Sequence, residues 1–125
     1  MISRGDAMRF FIVFFVLFLF NVGSGQAAFL TAGHLLSKCK GYTAGGEYNN
    51  VDERICNGYV MGVHDTAKTY ESLFKTSPLY CEPARVTSDQ MVLAVERYFL
   101  ANPELLNSPA SPKIIDALTS SFPCD

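Results

Sequence analysis

His64 and Asp65 form the one adjacent histidine–carboxylate pair in the chain, and Cys39, Cys56, Cys81 and Cys124 are its only thiols. A catalytic dyad would need the histidine and the aspartate to converge on a nucleophile from elsewhere. The apolar spacing around them is helical, and sequence neighbours on a helix point about 100° apart, so the two do not face each other. They read as an exposed histidine and a surface or capping aspartate. No serine stands in a G-x-S-x-G elbow or an S-x-x-K pattern. The paired carboxylates Asp52-Glu53 fall at a helix start, where the helix dipole favours acids. The glycine-rich stretch GYTAGGEYNN at residues 41–50 lacks both the GK[ST] ending and the preceding strand of a phosphate cradle. No enzyme motif emerges, and no cofactor or metal is expected.

The cysteines have a different use. Zinc sites favour C-x₂₋₄-C spacing, but the gaps here are 17, 25 and 43 residues. An even set in a small exported domain reads as two disulfides. Three pairings are open, and position favours Cys39–Cys56 with Cys81–Cys124. Cys39 ends one helical pattern and Cys56 lies at the start of the next, so their bond would staple a helix–loop–helix corner. Cys81 lies in a central loop and Cys124 closes the last helix.

Export is read from the N-terminus. Arg4 and Arg9 precede an unbroken apolar run over residues 10–20, and GSGQA follows. That is the layout of a secretory signal peptide, with cleavage after Ala27. The run is shorter than the roughly 20 residues of a membrane span, so no membrane association is expected once the signal is removed. Residues 28–125 then form one domain. Loss of Arg4, Arg9 and Asp6 takes the formal charge from −2 to −3. With no basic run, nucleic acid is excluded as a partner.

The exported part reads as all-α, a small bundle of four main helices pinned by two disulfides. Thr31 is placed to cap a helix over 32–38. A second helix covers 52–74, with a buried stripe of Cys56, Tyr59, Val60, Val63, Ala67, Tyr70 and Phe74. Thr87-Ser88-Asp89-Gln90 is a capping box for a third helix running to about 101 and burying Met91, Val92, Val95, Tyr98 and Phe99. A turn of helix starts at Asn102-Pro103-Glu104. Ser108-Pro109 opens the last helix with proline at its first position, and Ala110, Ile114, Ile115, Leu118 and Phe122 form its buried stripe. Gly58 and Gly62 each cost roughly 0.8–1 kcal/mol inside a helix. The expected reason for them is close packing of another helix, with a dimer or partner surface as the functional alternative.

Three stretches carry a resemblance. FLTAGHLLSKC covers residues 29–39, and CNGYVMGVHD covers 56–65 with the core Cys56, Gly58, Tyr59, Gly62 and Asp65. VTSDQMVLAVERYFLANPELLNSPASPKIIDALTSSFPC covers 86–124. In this order, behind a signal peptide, they resemble the Rap/Tai immunity proteins of type VI secretion systems, over most of residues 28–125. The resemblance implies a periplasmic, non-enzymatic helical domain that binds a toxic effector and blocks it sterically. In the best-known branch the effector is a peptidoglycan amidase and the immunity protein is often a homodimer. The unmatched loops are the expected carriers of partner specificity, with Tyr42, Glu47 and Tyr48 in the first and Leu79 and Glu82 in the central one. The competing expectation is a general periplasmic binding or stress protein, chaperone-like and without a dedicated toxin. A small hydrolase using His64 with a cysteine or serine is the third.

Overall fold

The computed structural model describes Arg9, residues 30–40 and residues 51–125. The proposed signal peptide and the loop carrying Tyr42, Glu47 and Tyr48 lie outside the described residues. Four α-helices, α1 (Ala32–Cys39), α2 (Val51–Phe74), α3 (Ser88–Ala101) and α4 (Ala110–Ser121), are joined by the 3₁₀ turn Pro103–Leu105 between α3 and α4. All four contribute to one core, built on Leu35, Val60, Val92, Val95, Phe99, Ile114 and Leu118.

Each helix end has a local cause. Thr31 Oγ1 accepts the His34 N–H at 3.2 Å, satisfying one orphan donor of α1. The Ala32 and Gly33 N–H groups donate to the carbonyls of Ser108 and Leu106 at 2.9 and 2.8 Å. The turn between α3 and α4 therefore caps α1. Glycine suits position 33 for that approach, since an added Cβ would lie 3.0 Å from the Leu106 carbonyl oxygen. Thr87 and Gln90 form the full reciprocal capping box on α3. Asn102 closes the other end of α3 with its backbone N–H on the Phe99 carbonyl and its side-chain amide on the Tyr98 carbonyl. α2 stops at Lys75, which adopts a left-handed backbone (φ 53°) at a position where glycine is usual. The Thr76 N–H then reaches back to the Glu71 carbonyl.

The disulfides are Cys39–Cys56 and Cys81–Cys124, closing loops of 17 and 43 residues. Beside the first, Lys38 and Asp52 form an ion pair at 3.0 Å across the α1–α2 corner. Beside the second, the Cys81 N–H donates to the Phe122 carbonyl at 2.8 Å.

Three expectations are corrected. Pro109 is the N-cap of α4 and not its first helical residue, because its extended backbone (ψ 134°) pairs with Thr31 in an antiparallel bridge. Tyr70 and Phe74 leave the buried stripe, at 53% and 64% exposed. The cause is length: 24 residues make α2 about 36 Å long, whereas the 12 of α4 span about 18 Å, so the last turns of α2 extend beyond what the bundle can cover. Among the described residues, Gly58 and Gly62 pack against no helix, and an added Cβ at either meets nothing within 4 Å. In the central loop Tyr80 is among the largest fully buried side chains.

Candidate functional site: an open apolar trough

One exposed flank of α2, beside its buried stripe, is apolar. Val51, Ile55, Tyr70, Leu73 and Phe74 are all exposed, and the Tyr70 and Phe74 rings pack together at 4.6 Å between centroids. Between this face and α4 runs an open trough of about 720 Å³. Its α2 wall is Gly58, Tyr59, Gly62, Val63, Thr66 and Tyr70. Its α4 wall is Ser111, Pro112 and Ile115, and Leu79 contributes from the central loop. Gly58 and Gly62 lie four residues apart on one helix face and carry no side chains to fill the trough. Ile114 and Ile115 are adjacent on α4 and so point about 100° apart. Ile114 is fully buried, and Ile115 is left to line the trough.

Leu79, an expected contact residue, is held in place from both sides. Its N–H donates to Glu71 Oε1 of α2 at 2.8 Å, and its carbonyl accepts the Thr119 hydroxyl of α4 at 3.2 Å. Its side chain remains 48% exposed. The next residue anchors the loop. The Tyr80 hydroxyl lies 2.8 Å from His64 Nδ1. The Lys68 ammonium sits over the Tyr80 ring, 4.3 Å from its centroid, and donates to the Tyr80 carbonyl at 2.9 Å. The same ammonium pairs with Glu82 at 2.8 Å and Glu71 at 3.4 Å. Burial, then the negative charges of Glu82, Glu71 and Asp65, push the Tyr80 hydroxyl well above the usual phenol range, so it stays protonated. At Glu82 burial favours the neutral acid, but the hydrogen bond and charge of Lys68, with a backbone hydrogen bond and His64, outweigh it. The carboxyl is held below its ordinary range.

His64 is therefore half-buried and engaged by a loop tyrosine, not simply exposed, while Asp65 stays exposed beside it. Among the described residues the pair shares no hydrogen-bond partner. All four cysteines are in disulfides, which removes the thiol that a cysteine hydrolase needs. Among the described residues no cluster of three or more His, Cys, Asp or Glu could hold a metal, and no helix is long and apolar enough to cross a membrane. Glu82 sits in the loop clamp and does not line the trough, whereas Leu79 does. The reading from sequence missed the Tyr80–Lys68–Glu71 clamp and the α4 wall. The sequence carried no signal for that wall, since both members of neighbouring apolar pairs such as Met91-Val92 and Ala117-Leu118 are buried.

What the fold defines is a small disulfide-pinned helical domain with an open, largely apolar trough between α2 and α4. A family model of the Rap1a immunity proteins matches residues 31–124, and the chain belongs to that family. Its members counter a toxic effector, so this protein is an immunity protein with a cognate toxin as its partner. Neither the curated proteins nor the solved structures compared with it gave a match.

Proposed function

We propose that the protein is exported to the periplasm, with residues 1–27 removed as a signal peptide. There it binds, without catalysis of its own, a peptidoglycan amidase delivered by a type VI secretion system and occludes that enzyme's substrate cleft. The family match carries this reading, because it spans both disulfides, the trough and the clamped loop. Two disulfides on one small domain support an oxidising compartment. The trough with Leu79 at its edge is the docking face. Exposed aromatic and leucine side chains beside a glycine floor suit insertion of a partner's apolar side chains, within an interface of about 800 Å² per partner.

The test uses the mature chain and the effector encoded beside its gene. Stoichiometric inhibition of peptidoglycan amide hydrolysis is the expected result, weakened by Gly62→Trp, which fills the trough. Absence of inhibition by the native protein removes the reading. Suppression of aggregation of unrelated clients, without inhibition, would install the chaperone-like alternative. A concentration-dependent dimer abolished by Gly62→Trp would give the trough to a second copy of the chain.

A further inference from the structure

A second groove, about 750 Å³, lies between α3, the end of α4 and the segment leading into α3. Two arginines line it, Arg85 from that segment and Arg97 from the third turn of α3, and both are exposed. Neither forms an ion pair with any described residue, whereas Lys38, Lys68 and Lys113 all do. Val86, Leu93 and Phe122 give the same groove an apolar component, and Tyr98 adds an aromatic ring. The segment bearing Arg85 is not loose. Cys81 is bonded to Cys124, and the Val86 N–H donates to the Pro83 carbonyl at 3.0 Å.

We propose that this groove is a second docking surface, specific for an acidic segment of the effector. A carboxylate would bridge Arg85 and Arg97 while a neighbouring apolar side chain rests on Leu93, Val86 and Phe122. The proposal builds on the reading that the partner is an effector protein. Guanidinium forks match carboxylates in a bidentate geometry that lysine cannot reproduce. Two unpaired arginines in one concavity, on a chain of formal charge −2, make a localised positive site. A membrane surface is disfavoured, since anionic lipid recognition uses clusters of 4–8 basic residues. A second copy is disfavoured too: a two-fold interface centred here would set Arg85 and Arg97 against their own duplicates.

The first measurement is an amide-shift titration of the mature chain with the peptide acetyl-Leu-Glu-Leu-Asp-Leu-amide. The Gln/Asn counterpart and inorganic phosphate serve as parallel probes. The expected result is shifts at 85–98 and 120–122 with the acidic peptide only. They should diminish at high salt and weaken about tenfold or more in Arg85→Gln/Arg97→Gln. Equal shifts with the neutral peptide, shifts confined to the α2–α4 trough, or shifts with phosphate but not peptide each overturn the proposal. A change in sedimentation of Arg85→Glu/Arg97→Glu reassigns the groove to self-association and also overturns it. The second measurement is affinity for the neighbouring effector. Unchanged affinity in Arg85→Gln/Arg97→Gln rejects this groove while leaving the effector reading intact. Peptide binding in the groove without any effector binding rejects the effector reading instead.

Discussion

Gly58→Ala combined with Gly62→Ala separates an open trough from a packed helix interface. If another backbone lay against these glycines, two added methyls would clash and stability would fall. In the structure an added Cβ at either position meets nothing within 4 Å. The remaining effect is then helix propensity, where alanine is better than glycine by about 0.8–1 kcal/mol per site. Taken over both sites, the propensity gain is about 2 kcal/mol. For a domain of this size 1 kcal/mol moves the melting temperature by about 4–8 °C, so the double variant should melt about 8–16 °C higher. Thermal unfolding followed by circular dichroism, with urea titration as a check, reads this directly. A lower melting temperature would refute the open trough and restore internal packing. A higher one, with Gly62→Trp binding the effector as tightly as the native chain, would keep the trough and refute its use as the docking face.

The remaining predictions concern the fold and the loop clamp. Gly33→Ala should destabilise, opposite in sign to the trough glycines, because its Cβ meets a Leu106 carbonyl already fixed by the Gly33 N–H; urea unfolding of the single variants decides it. Loop closure values Cys81–Cys124 at about 4 kcal/mol and Cys39–Cys56 at about 3. However, Cys39 and Cys56 are 1% and 0% exposed, and replacing each with serine buries a hydroxyl at about 1–3 kcal/mol. The Cys39→Ser/Cys56→Ser pair should thus be the more damaging in equilibrium unfolding, and the reverse order would contradict the burial assignment. Lys68→Met should cost about 1–3 kcal/mol by leaving Glu71 and Glu82 without their cation. The Glu82 carboxyl titrates below its ordinary range in the folded chain. Its stabilisation is therefore complete above the unfolded value of about pH 4.3 and is lost as pH falls through the folded one. Acid unfolding curves should be less steep in Lys68→Met, and an unchanged acid limb would remove the ion pair from the stability balance.

Much of the bundle can be read from the chain. Thr31 and the Thr87–Gln90 box are signals spanning three residues, and they cap α1 and α3 as expected. Of the three cysteine pairings open to the sequence, the one favoured by position relative to the helix ends is the one formed. The candidate site was legible only in part. Leu79 was expected at the partner surface and lines the trough. Glu82, expected beside it, is occupied by Lys68.

By itself the sequence determined what depends on near neighbours: the four helices and the caps of α1 and α3. Only the tertiary structure decided which apolar residues stay uncovered. Tyr70 and Phe74 have the periodicity of a core stripe, yet they are exposed because α2 is twice as long as α4. Tyr80 has no periodicity at all, yet it is buried because Lys68 and His64 of α2 and a disulfide draw its loop inward. Burial belongs to the elements that pack over a residue, and those come from distant parts of the chain. The trough has the same origin: glycines on one helix and Ile115 on another become a surface only when the bundle brings them side by side.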